Sequence, residues 1–279
     1  MKLGKFIGIV LIALLLITSS LNAGEFKVGS GGSVKVGSGG NIILSSTGWL
    51  PTDIPGCVLW LRSDFAWQDA AKTVPCTNSS LIWTGEDKSG LVNDVIQATE
   101  AKRPTYLTNQ INGHPAWRFD GIDDWMQAIF TYNLPRNLFL IIKQNTWSFS
   151  RYLCDGSIVL GMIISQLWAS PEISAYTGAA WAPINTNLVV GSFGIVELRQ
   201  PTIQPTILAV NEIEASYPNV NVVTDAGGIT LGDAANFTGP GNIDFVEGVG
   251  FDNIISPANR QRLLLYFNTE AQGNGYAIY

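Results

Sequence analysis

One histidine, three cysteines and few basic side chains set the first limits on what this 279-residue chain can do. The histidine, His114, is held between Gly113 and Pro115, where a turn is expected. A Ser-His-Asp or Cys-His nucleophile system would have to be built on it, and no Gly-x-Ser-x-Gly signature accompanies it. Cys57, Cys76 and Cys154 match no zinc or redox spacing. After export, Cys57 and Cys76 are the natural disulfide pair, closing a loop around Trp60 and Trp67 and leaving Cys154 over. A Cys57–Cys154 pair and three buried thiols are the alternatives. Charged residues make up only 14%, with 16 Lys and Arg against 22 Asp and Glu. Nucleic acid and anionic lipid both need clustered Lys and Arg, so neither is expected as a partner.

Long apolar runs are also missing beyond the N-terminus. Lys2 and Lys5 precede the apolar run Phe6 to Ile17, and Thr18 to Ala23 forms a small, polar exit. That is the layout of a secretory signal peptide cleaved after Ala23. The run is well short of the roughly 20 apolar residues a membrane span needs. No cysteine follows it to accept a lipid. The mature chain would be secreted, extracellular and free of the membrane. It would keep 14 of the 16 basic residues against all 22 acidic ones, a net charge of −8.

What the chain has in quantity is turn formers and rings: 29 Gly, 13 Pro, 9 Trp, 8 Tyr and 12 Phe. Short β-type runs recur between turn signals every 8–12 residues or so, the rhythm of an all-β sandwich or jelly roll. They include Cys57 to Arg62, Ala116 to Phe119, Leu138 to Lys143, Thr206 to Asn211 and Ile243 to Phe251. One segment departs from this rhythm. Ser256 supplies an N-cap and Pro257 a first helical residue, and Leu263, Leu264 and Phe267 follow at helical spacing, so one helix of about three turns is expected. Residues 24–48 are separate in character. Phe26 to Ser33 and Val34 to Asn41 repeat a short β run plus a Gly-Ser-Gly-Gly turn, and Ile42 to Ser45 begins a third unit. This reads as a strand-forming linker or β repeat ahead of a domain spanning 49–279, and strands of that kind invite pairing with other copies.

The stretch Trp83 to Asp124 carries most of the turn signals and acids. Its order is Asp87-Lys-Ser-Gly90, Asn93-Asp94, Gln97, Arg103-Pro104, Asn112-Gly113-His-Pro115 and Phe119-Asp-Gly-Ile-Asp-Asp124, after Leu59-Trp60-Leu61. Together with Val246 to Phe251 and the helix that follows, it resembles the laminin-G-like, concanavalin A-like domains of bacterial secreted and phage-borne proteins. The resemblance implies a jelly-roll sandwich of two antiparallel sheets that binds or packs, as modules for glycan binding, adhesion or assembly do. It also implies that calcium is a cation the fold can hold. The chain departs from the family at His114, in the extended loop with Cys76, and in the middle third, Thr146 to Asn187.

Candidate sites follow from residue chemistry. Asp120, Asp123 and Asp124 crowd one turn, with Asp87, Asn93 and Asp94 in another loop. Together they could offer the hard oxygens that Ca²⁺ takes six to eight of, although Asp in a turn also caps backbone N–H groups. Trp168, Tyr176 and Trp181, with Trp147 and Asn145, Asn185 and Asn187 nearby, are the aromatic and amide groups suited to a glycan. Trp60, Trp83, Trp117 and Phe119 lie in strand contexts and are expected in the core. A glycosidase needs two carboxylates facing one cleft, at even spacing if both lie on one strand. Glu86 and Asp87 are adjacent, Asp244 and Glu247 are three apart, and Glu212 and Glu214 fall in a turn. On that count no enzyme is expected. The chain reads as a secreted non-catalytic carbohydrate-binding or adhesion module, or as a structural subunit of an extracellular filament or layer assembling through residues 24–46.

Overall fold

In the computed structural model the described residues are 25–28, 32–36, 42–45, 49–158, 161–167, 169–176, 186–203, 205–217, 223–268 and 275–278, the first three segments as backbone only. The expected signal segment, 1–23, lies outside them. The Gly-Ser repeat forms three strands, β1 (Glu25–Val28), β2 (Gly32–Val36) and β3 (Ile42–Ser45). These pair antiparallel in the order β1-β2-β3 as a sheet of their own.

The rest is built from β4 (Cys57–Trp67), β5 (Thr84–Asp87), β6 (Val95–Ile96), β7 (Thr105–Ile111), β8 (His114–Asp120), β9 (Met126–Ile129) and β10 (Arg136–Gln144). These are followed by β11 (Arg151–Asp155), β12 (Ile164–Gln166), β13 (Glu172–Ala175), β14 (Thr186–Asn187) and β15 (Phe193–Gln200). The series ends with β16 (Thr206–Val210), β17 (Ile213–Tyr217), β18 (Gly228–Leu231), β19 (Asn242–Phe251) and the helix α1 (Pro257–Asn268). Among the described residues the chain adopts the expected β class with one late α-helix. The strands of 49–279 join in one antiparallel path, β14-β13-β12-β11-β18-β9-β6-β5-β4-β19-β10-β15-β16-β17, with the β7–β8 hairpin attached through β19. The two ends of the path meet, since β14 also lies against β16 and β17, which nearly closes the sheet on itself.

The long strands β10 and β19 organise the interior. Every residue of β10 but Lys143 is buried, and its apolar side chains alternate between two cores. Leu138, Leu140 and Ile142 enter the larger core with Trp117, Phe119, Leu153 and Ile229. Phe139 and Ile141 enter the smaller one with Trp60, Val249, Phe251, Leu263 and Phe267, beneath α1. A strand buried on both faces loses the polar alternation of a half-exposed one, which is why Asn137 to Lys143 reads as a continuous apolar run. The helix forms where its signals predict. The Asn259 N–H donates to Ser256 Oγ at 3.2 Å, and Leu263, Leu264, Tyr266 and Phe267 are buried against the sheet. Each buried side chain of this size contributes about 1.5–3 kcal/mol of transfer free energy, so the helix is held by packing more than by its own propensity.

A β-bulge at Val246 controls the parity of β19. Ile142 pairs with Phe245 while the next residue along, Ile141, pairs with Glu247, leaving Val246 as the extra residue. Ile243 and Phe245 face the larger core, and beyond the bulge Val249 and Phe251 face the helix. A one-residue insertion of this kind re-aims every side chain that follows it.

Candidate functional site: an acid-lined aromatic stack and a bulged strand

The turn between β8 and β9 is made by its own acids. Asp120 Oδ1 accepts from the N–H of Ile122 at 2.7 Å, and Asp124 Oδ2 accepts from the N–H of Asp120 at 3.0 Å. Gly121 turns the chain at φ +77°, and a Cβ there would lie 2.8 Å from Asn242 Cβ. Closing the turn crowds the acids, so ligand oxygens of Asp120, Asp123 and Asp124 all lie within 4.8 Å of one another. Burial, together with the charges of Asp120 and Asp123, pushes the Asp124 carboxyl up to about 7 against the hydrogen bond from the Asp120 backbone. The second acid-bearing loop is occupied elsewhere. Asp87 accepts from the N–H groups of Trp60, Ser89 and Asn93, each at 2.9 Å. Asp94 accepts from the Asp87 N–H at 2.8 Å and pairs with Lys72 at 2.9 Å. These acids knit β4 and β5 to the loop that leads into β6. The structure brings together Asp120, Asp123 and Asp124 as the one metal-ligand-like group among the described residues.

Trp125 follows directly. Its ring stacks on Phe237, with centroids 4.1 Å apart and planes 21° from parallel. Phe237 sits in the Asp233–Gly239 loop at φ +57° and remains 40% exposed. Sequence reasoning missed this pair, which is 112 positions apart in the chain. Its one local signal is the turn-rich run Asn236-Phe-Thr-Gly-Pro240.

The bulge brings a second group together. Asp244 pairs with Lys143 and Arg118, and Glu247 with Ile141 and Arg62. Since Ile141 and Lys143 share a face of β10, Asp244 and Glu247 share a face of β19, although they are three residues apart. Asp244, with no exposed side-chain surface, takes a fork from Arg118 at 2.8 and 2.9 Å and an ion pair from Lys143 at 2.6 Å. Burial raises its carboxyl, but the hydrogen bonds from Arg118, Lys143 and Asn145 outweigh that and hold it below the usual range. Glu247 is also fully buried. It accepts from Trp60 Nε1 at 2.7 Å, the Tyr266 hydroxyl at 3.1 Å and the Tyr276 hydroxyl at 2.6 Å.

Of the aromatic candidates, Trp168 and Trp181 lie outside the described residues. Tyr176 is half-buried just past β13, its N–H donating to Ile163 O at 3.0 Å. Trp147 is half-buried and donates to Glu172 O at 3.1 Å. Trp60 and Trp117 are in the core as expected, while Trp83 is half-buried with the Arg103 guanidinium 4.1 Å from its ring. The expected Cys57–Cys76 disulfide is not formed, and all three cysteines are free thiols. Cys57 opens β4, whereas the Cys76 N–H bonds to Ala66 O near the other end of that strand. Nine residues of strand separate them by roughly 30 Å, far beyond disulfide reach. Burial pushes both thiols up to about 12, so neither is a ready nucleophile.

No protein-family model matches the chain, and no curated protein matches it in sequence. Solved structures do match in fold. A GH54 α-L-arabinofuranosidase soaked with 4-nitrophenyl α-L-arabinofuranoside aligns with 82% of this chain and 64% of its own, at TM-score 0.56 and 14% identity. Trypanosoma rangeli sialidase in complex with sialic acid aligns with 78% of this chain and 34% of its own, at TM-score 0.52 and 12% identity. The binding domain of botulinum neurotoxin DC in complex with SialylT aligns with 76% of this chain and 51% of its own, at TM-score 0.50 and 12% identity. The chain therefore spans less than two thirds of each of these proteins. The likeness is one of fold, and it corrects the expectation that no enzyme is present. The fold occurs in glycoside hydrolases, and the parity argument against Asp244 and Glu247 fails at the bulge.

Proposed function

We propose that the chain is a secreted carbohydrate-binding domain, built as a concanavalin A-like, laminin-G-like jelly roll. The observation that carries this reading is the fold match. Three solved structures of different kinds, an arabinofuranosidase, a sialidase and a toxin binding domain, share this fold over about four fifths of the chain, and each holds or was soaked with a sugar compound. Fold alone never fixes function, so the surface has to agree with it. It does so through an aromatic stack, Phe237 exposed on half-buried Trp125, beside acids and amides, the combination that receives a sugar's C–H face and hydroxyls together. Retention of the mature chain on immobilised polysaccharides tests the reading, and elution in the void on every matrix would remove it.

The bulge favours a second reading, saccharide hydrolysis. It sets Asp244 and Glu247 on one face of β19, a first condition for a carboxylate pair to serve one glycosidic bond. In the structure Tyr266 and Tyr276 close over Glu247, so hydrolysis would need that cover to move. Release of reducing sugar by the purified chain, lost in Asp244→Asn and Glu247→Gln that keep a cooperative melting transition, would establish it.

A further inference from the structure

We propose that the two loops carrying Trp125 and Phe237 form the saccharide site, and that it takes a neutral sugar rather than a sialylated or otherwise anionic one. This rests on the carbohydrate-binding reading and gives it a place and a ligand class. The first support is the exposed ring. Stacking on Trp125 uses one face of Phe237, yet 40% of the residue still meets water. Aromatic side chains carry a large apolar surface and dominate interface energetics, and a ring that stays part-exposed offers apolar surface to the C–H face of a pyranose.

The second support is the backbone that holds the ring there. At φ +57° Phe237 occupies the left-handed region, a genuine outlier for a bulky residue at a cost of roughly 1–2 kcal/mol. The loop is pinned so that this strain cannot relax. Asp233 Oδ1 accepts from the N–H groups of Ala234 and Gly239 at 2.7 and 2.8 Å. Asp155 Oδ2 accepts from the N–H of Ala235 at 3.0 Å, and the Phe237 N–H itself bonds to Ala234 O at 2.9 Å. Strain maintained by its surroundings gathers at ligand sites.

The ligand class follows from charge. Asn236 and Thr238 are exposed on either side of Phe237, and Asp120 is exposed at the start of the turn that carries Trp125. Amide, hydroxyl and carboxylate groups suit sugar hydroxyls. The carboxylates of Asp120 and Asp123, gathered within 4.8 Å of each other and of Asp124 at that turn, would repel a sugar carboxylate, and repulsion of the wrong ligand is itself a source of specificity.

The test uses the mature chain on a glycan array that pairs neutral oligosaccharides with sialylated forms of the same cores, followed by titration of the binders with tryptophan fluorescence as readout. Phe237→Asn removes the ring while supplying a residue that tolerates positive φ, so it should melt at or above the wild-type temperature. Phe237→Ala is the second variant. The expected result is binding of neutral glycans by the wild type, weakened roughly tenfold or more in each folded variant, as for an aromatic anchor at a binding hot spot. Asp123→Asn should narrow the discrimination against sialylated forms. Wild-type affinity in both Phe237 variants would overturn the placement and leave the carbohydrate-binding reading standing. A preference for sialylated glycans would overturn the ligand class, and no glycan bound by the wild type would overturn both.

Discussion

Replacing Asp244 with alanine should cost the fold about 3 kcal/mol, and the structure says why. The side chain is fully buried and is the shared partner of Arg118 and Lys143, whose side chains are 41% and 14% exposed. Removing one partner of a buried ion pair usually costs about 3–5 kcal/mol, because the remaining charge stays buried and uncompensated. Arg118 can turn part of its guanidinium to water, which lowers the figure, but Lys143 is held over the Phe193 ring at 4.8 Å and has less freedom. A loss of about 3 kcal/mol is a sizeable share of the 5–15 kcal/mol typical of a folded protein and would lower the melting temperature by roughly 6–12 °C. Urea denaturation of wild type and variant at pH 7 measures it. The pH dependence adds an independent check. A carboxyl whose folded pKa lies below its unfolded value, near 3.9, contributes stability that is present above that value and lost as pH falls through the folded one. The gap between wild type and Asp244→Ala should therefore be full at pH 6–7 and shrink below about pH 4. A difference under about 1 kcal/mol at pH 7, the worth of an exposed pair, would refute the buried-network argument.

Other expectations follow from the same contacts. Asp124 has the opposite sign: its folded pKa is raised to about 7, so the folded state holds the proton more tightly and stability falls as pH rises between about 4 and 7. Asp124→Asn should flatten that slope and raise the melting temperature at pH 8; an unchanged slope would show that Asp124 is not strained. If calcium occupies Asp120, Asp123 and Asp124, it should raise the wild-type melting temperature at pH 8 and do less for Asp124→Asn. Identical curves with calcium and with EDTA would remove the ion from the account. The thiols of Cys57, Cys76 and Cys154 should all titrate after unfolding without reductant, and a free-thiol count below three would restore a disulfide. Because β1 to β3 pair with one another, deleting residues 24–46 should leave the melting temperature of the remainder unchanged. Assemblies on size exclusion that vanish with the deletion would favour the filament reading, and a marked fall in the melting temperature would show that the repeat supports the domain.

The sequence was most readable where the signal is local. Ser256-Pro257 followed by Leu263, Leu264 and Phe267 specifies a helix start and an apolar stripe, and α1 occupies that span. Trp60, Trp117 and Phe119 lie in strand runs, and they are buried. Phe119-Asp-Gly-Ile-Asp-Asp124 says turn, and Asp120 and Asp124 build it. The losses came from features that depend on distant partners. The extra residue at Val246 is visible only against β10 and β4, so a period of two sent Asp244 and Glu247 to opposite faces when the bulge puts them on one. Cys57 and Cys76 look close in a list of residues, but a strand lies between them. Trp125 and Phe237 meet only because β9 and β18 pair, carrying the loops at their ends together.

Saccharide binding by the mature chain is the property on which the proposed function stands. Titration calorimetry with the best glycan retained on an array is the measurement. Saturable binding, with heat that disappears in folded Phe237→Asn, is the predicted result. The absence of any saturable heat across neutral and anionic glycans, from a chain shown to be folded by its melting transition, would contradict it.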